Sequence, residues 1–171
     1  TKTAAGNKDG NGNGDFFYAV PSGHLALCTA NLPEPTIGSN STTQSDDHFD
    51  ITLYTGNGGT QSITGVGFQP DWIWTKGRSG ARGHTQVDSI RGATKTLESA
   101  TDSAEETHAN SITAIGSDGF SLGNRNQGNA NTETFVSWNW KAGTSFTNDA
   151  SSTSVGSIDS AGTVSTTAGI S

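Results

Sequence analysis

The chain has 171 residues, of which 30% are hydrophobic, 15% charged and 23 glycine. So little apolar surface cannot offset the chain entropy of one large core, so a small domain with flanking pieces is expected, gaining burial from further copies or neighbours. A net charge of −7, with 16 acidic against 9 basic residues, excludes the basic stripe that nucleic-acid binding needs, and no run reaches the length of a membrane span.

Methionine is absent and the sequence begins at Thr1, so it reads as an internal segment of a longer polypeptide. Residues 1–15 are rich in Gly and Asn and offer nothing to pack. Phe16 to Val20 predicts a short strand stopped at Pro21-Ser22-Gly23, and Leu25 to Thr29 a second, buried one. Cys28, the single cysteine, excludes an internal disulfide and reads as a buried thiol. A linker follows over 33–48. From Phe49 the pattern alternates apolar and polar, predicting a strand over 49–54 and, across Gly56-Asn57-Gly58-Gly59, a hairpin partner at 61–64. Asp71 to Lys76 gives the next strand, with weaker ones at 84–90 and 95–98. Residues 99–110 lack an apolar face and read as a solvated loop. A hairpin is expected over 112–122 about Ser117-Asp118-Gly119, and a closing strand at 134–140. Half of residues 144–171 are Ser or Thr and none is Lys or Arg, which reads as a second linker with room for one hairpin around Ser160-Ala161-Gly162. Short strands separated by turn signals predict an all-β fold: an antiparallel β-sandwich or jelly-roll-like module over 49–143, flanked by Gly/Ser/Thr-rich linkers.

Four groups of residues carry candidate chemistry. Asn7, Asp9, Asn11, Asn13 and Asp15 place oxygen side chains at alternate positions with Gly12 at the sixth, the start of a calcium loop. Its twelfth position, Tyr18, departs from the Glu that such a loop requires, and a Gly/Asn turn is the alternative. Trp72/Trp74 and Trp138/Trp140 are two Trp-x-Trp units, each presenting both indoles on one strand face. Exposed, they form a platform for sugar rings; the scarcity of aliphatics favours a place in the core instead. Asp88 and Arg91 have the spacing of a local salt bridge. His24, His48, His84 and His108 show no ligand spacing, and Asp88, Glu98, Asp102, Glu105 and Glu106, the acidic residues a glycan depolymerase could use, form no paired-carboxylate pattern.

The runs GDFFYAVPSGHLALCTANLPEP, LYTGNGGTQSITGVGFQPDWIWTKGRS, DSIRGATKTLES, SDGFSLG and TETFVSWNWKAG resemble a module of large fibre-type virion proteins of marine and other tailed phages. The resemblance spans about residues 6–143 and is most specific at ALCTANLP, YTGNG and VSWNW. It implies that residues 1–32 are the closing strands of a SPRY-like, concanavalin-type sandwich, that 49–143 is the module, and that 144–171 leads into a following repeat. It carries no catalytic residues and implies no cofactor beyond the calcium that the Asn/Asp loop suggests.

The expectation is a non-enzymatic structural and adhesive module on the virion surface, outside the cell. Its partners would be other copies (a homotrimer), other virion proteins and host-surface glycan, with no nucleic acid and no membrane insertion. Contacts are expected from Gly/Asn-rich loops: Arg78 and Arg82 in one, and Asn124, Arg125, Asn126, Asn129 and Asn131 in the other. A virion decoration without ligand, a bacterial surface adhesin and a depolymerase are the rival readings.

Overall fold

The computed structural model describes residues 3–33, 42–153 and 156–166. The chain divides into two units, residues 1–35 and 36–171.

The first unit has no strand among its described residues, only an isolated bridge between Asn7 and Phe16 and a 3-10 turn at Thr29–Asn31. The strands expected at 16–20 and 25–29 do not form. A strand needs a neighbour for its outward N–H and C=O groups, and here the apolar side chains lie open, with Leu27 97% exposed and Leu25 50%. Cys28 is half-buried. Asp9, at 7% exposure, is what orders this segment. Its carboxylate accepts hydrogen bonds from the amides of Ala26 (2.8 Å), Asn13 (2.9 Å) and Asn11 (2.9 Å), and from the Asn31 side chain (2.6 Å).

The second unit opens with a 3-10 turn, Ser45–Asp47, and runs through β1 (Phe49–Thr55), β2 (Gln61–Thr64), β3 (Trp72–Gly77), β4 (His84–Asp88), β5 (Lys95–Thr96), β6 (Glu106–Thr107), β7 (Ile112–Gly116), β8 (Gly119–Leu122), the single-turn helix α1 (Asn126–Asn129), β9 (Thr134–Trp140), β10 (Thr144–Asn148), the short helix α2 (Ala150–Thr153) and β11 (Ser160–Val164). A four-stranded sheet has the order β1-β9-β3-β4 and a three-stranded sheet the order β2-β8-β7, every pairing antiparallel. Ile73 and Val87 from the first sheet meet Ile63, Ile112, Phe120 and Leu122 from the second, with Tyr54 against them, so the two sheets close on one apolar layer. The fold is an antiparallel β-sandwich.

The apolar residues at alternate positions of β1 and β2 drew both strands correctly, but not as a hairpin. β1 pairs with β9 and β2 with β8, so the Gly-rich turn at 56–60 carries the chain from one sheet to the other. Tyr54 and Ile63 thereby face the same core from opposite sides. The hairpin β7–β8 forms as its turn residues require. Gly119 adopts a positive φ of 136°, and a Cβ there would run into the Ile63 carbonyl. Asp118 then accepts the amides of Gly67 and Gly65, tying the turn to the loop after β2. Asp71 plays a similar part at the start of β3, accepting from Ala142 and Gly143 amides and the Ser89 hydroxyl.

Two further expectations change. The region read as a linker after 143 carries a two-stranded sheet, β10 paired with β11 from Thr144↔Val164 to Asn148↔Ser160, so Ser160-Ala161-Gly162 lies in a strand instead of a turn. Thr-rich composition suits a pleated strand as well as a linker, and composition does not separate the two. The four tryptophans are also not the core. β3 and β9 alternate such that Ile73, Thr75, Phe135, Ser137 and Asn139 point inward and are buried, which sends all four indoles to the opposite face.

Candidate binding surfaces

Two surfaces stand out: one end of the sandwich and its outer aromatic face. The end is built from three connections, residues 56–60 after β1, 78–83 after β3 and 123–133 before β9. Asn129 is buried at 1% exposure and joins two of them. Its amide nitrogen donates to the carbonyls of Gly59 and Gly123 (both 2.8 Å) and to Asn57 Oδ1, while its oxygen accepts from Gln61 Nε2 (2.7 Å) and the Asn57 amide (3.0 Å). Arg82 joins the third, its guanidinium meeting both carboxylate oxygens of Glu133 in a bidentate pair. The hydrogen bond from Arg82 holds the Glu133 carboxyl below its usual range, and the same contact raises the guanidinium. Gly80 lets the loop lie against that carboxylate, where a Cβ would collide with it. Ser79 accepts the Thr134 amide through its hydroxyl, and Thr132 sits at φ 66°, a left-handed conformation that a β-branched residue rarely holds, pinned by the hydrogen bond its amide donates to the Gly56 carbonyl.

Of the seven loop residues expected to contact a ligand, the structure brings all to this end but divides their roles. Asn129 and Arg82 are internal braces. Arg125 is half-buried, faces Glu98 at 3.8 Å and leaves Nη1 buried without a partner; Asn124 bonds Asn110. Arg78, Asn126 and Asn131 are exposed. Glu133 and Asn57, which complete the frame, were not among the sequence candidates; a carboxylate beside a Gly-rich loop gives no periodic signal.

On the outer face, Trp72 stands opposite Trp140 and Trp74 opposite Trp138 across β3 and β9. The rings form a column: Phe49–Trp140 centroids at 5.1 Å, Trp140–Trp72 at 4.4 Å and Trp72–Trp74 at 6.0 Å, the last two stacked. Trp74 also donates from Nε1 to His84 Nδ1 (2.8 Å) and lies beside Trp138. A sugar ring stacks on an open aromatic face, but Trp72 and Trp140 each have a ring on either side and present edges. Ile51 and Leu53 of β1 extend this apolar strip.

Most of the other candidates are engaged within the chain. The oxygens of the Asn/Asp loop do not converge: Asp9 is saturated with N–H donors, Asp15 accepts the Gly6 amide, Asn7 donates to the carbonyls of Phe16 and Phe17, and Asn11 and Asn13 donate to Asn31. The Ala26 amide above all, then those of Asn13 and Asn11 and the Asn31 side chain, pull the Asp9 carboxyl down to about 2. In this arrangement the Asp9 carboxylate is an Asx-type staple on amide donors instead of one member of a converging set of oxygens. Among the described residues no three His, Cys, Asp or Glu side chains could hold a metal ion. Asp88 makes the expected pair with Arg91 (2.6 Å), which also reaches Glu105; Glu106 meets His108. Glu98 and Glu106 do share a cleft of 80 Å³ with Thr96, Ser103 and Ala104. No helix among the described residues is long and apolar enough to cross a membrane.

No curated protein and no solved structure matches the chain. A family profile described as a domain of unknown function, DUF7483, matches residues 44–171, which takes in the sandwich together with the β10–β11 sheet. That match covers most of the sequence, and the chain belongs to this family.

Proposed function

We propose that the chain is a non-enzymatic structural and adhesive module of a fibre-type protein on the surface of a tailed-phage virion, and that its loop end contacts host-surface glycan. The observation that carries this reading is the division of labour at that end. Asn129, Arg82 and Glu133 brace three connections, and Arg78, Asn126 and Asn131 are left exposed on the frame. A cation and two amides offer the donors and acceptors that sugar hydroxyls use, on loops whose position is fixed before binding. The left-handed Thr132 beside Asn131 adds local strain of the kind that collects at binding loops. The likeness to virion modules supplies the setting.

Adsorption of the full chain to host cells and to purified host polysaccharide tests the reading. Wild type should adsorb, and the combined variant Arg78→Ala, Asn126→Ala, Asn131→Ala should lose most of that binding while keeping its melting transition. Equal adsorption by the triple variant removes the loop end from the account. Gold-labelled antibody that fails to decorate phage particles removes the virion setting.

A further inference from the structure

We propose that β1 is the pairing edge for a second copy of this chain, in antiparallel register centred on Thr52. β1 lies at the end of its sheet, and among the described residues its only strand partner is β9. The ladder is bracketed by bonds from Lys141 to the His48 carbonyl (2.9 Å) and from Gly56 to the Glu133 carbonyl (2.8 Å). Alternation between those ends turns the main-chain groups of residues 50, 52 and 54 toward β9. The N–H and C=O groups of Phe49, Ile51 and Leu53 therefore point to the open side.

The other sheet edges of the sandwich are blunted. β4 is bridged by Leu97 through Gln86, each amide donating a hydrogen bond to the other's carbonyl; β2 has four residues; β7 carries a register shift between Ile112 and Ala114. β1 has seven residues, no register shift, no proline and no lysine, so it carries few of the devices that keep an edge from pairing. Its single charge, Asp50, bonds the Thr52 hydroxyl (2.6 Å). Ile51 and Leu53 are 52% and 60% exposed on the face that carries the indoles.

The strand is complementary to itself. Bonded residues must meet bonded residues, and centring on Thr52 uses the whole of β1. Ile51 of one copy then stands opposite Leu53 of the other, an apolar cross-strand pair. Asp50 stands opposite Tyr54, so the two carboxylates do not face each other. A second copy would turn the sheet into a continuous eight-stranded one and cover the edge of the apolar strip.

Light scattering on the chain in solution tests this. Wild type should weigh twice its 17.6 kDa. Leu53→Pro deletes an N–H aimed away from β9, so it should halve the mass and leave the β-sheet circular dichroism intact. The register has its own test, which does not depend on proline being tolerated. Ile51→Lys with Leu53→Lys places like charges opposite each other and should give monomer; Ile51→Lys with Leu53→Glu places opposite charges there and should restore the dimer. A monomeric or trimeric wild type, or a dimer indifferent to these changes, overturns the proposal.

Discussion

Asn129 shows how one side chain can hold a loop end together. Each of its five hydrogen bonds replaces water that cannot reach the site, so truncation strands the Gly59 and Gly123 carbonyls and the Asn57 amide. Asn129→Ala should cost about 3 kcal/mol, read as a lower urea midpoint with an unchanged slope. Asn129→Asp should be at least as damaging, since it aims a carboxylate oxygen at two carbonyls. Asp9 makes a pH-dependent counterpart in the first unit. Its carboxyl lies lower in the folded chain, about 2, than the roughly 3.9 of an unfolded aspartate. Its stabilising effect is therefore complete above about pH 4 and is lost as pH falls toward 2. Amide exchange at Asn11, Asn13 and Ala26 should accelerate across that window beyond the ordinary pH trend, and Asp9→Asn should remove the dependence. The oxygen-rich pattern around Asp9 was visible in the sequence, but its meaning was not. Whether such oxygens meet a cation or backbone amides depends on Ala26 and Asn31, 17 and 22 residues away.

At the scale of strands, side-chain alternation was legible and partnership was not. β1, β3, β9 and the β7–β8 hairpin follow from period-2 runs and turn residues. The pairing of β1 with β9, 89 residues apart at Asp50↔Asn139, leaves no local trace. The tryptophans illustrate the limit. Counting apolar volume places them inside, whereas the phase of β3, fixed by Ile73, places them outside. This gives a comparison that size alone would predict the other way round. Ile73→Ala removes a fully buried side chain and should cost about 2–5 kcal/mol. Trp72→Ala removes a larger side chain that is 37% exposed and should cost less, with a blue-shifted or quenched component of fluorescence lost as the stack opens. If Trp72→Ala proves the more destabilising in chemical denaturation, the aromatic column is part of the core after all.

At the scale of the molecule, the loop end and the β1 edge constrain each other. The connections that form the loop end leave β1 and β3 at their C-terminal ends and enter β9 at its N-terminal end, so they lie where β1 finishes. Antiparallel pairing of two β1 strands points their finishing ends in opposite directions. A pair of copies joined as proposed would therefore carry two loop ends facing away from each other, and only one could touch a given flat surface. Avidity on one surface should then be small, because the second site cannot reach the same plane. Bridging between two surfaces should instead be efficient. Beads coated with host polysaccharide should clump with wild type and stay dispersed with Leu53→Pro, while both proteins adsorb to an immobilised glycan film with similar strength. Clumping by a chain shown to be monomeric would place a second glycan site elsewhere on the sandwich. A sharp loss of film binding on breaking the pair would mean that the two loop ends lie on the same side, which the antiparallel register centred on Thr52 does not permit.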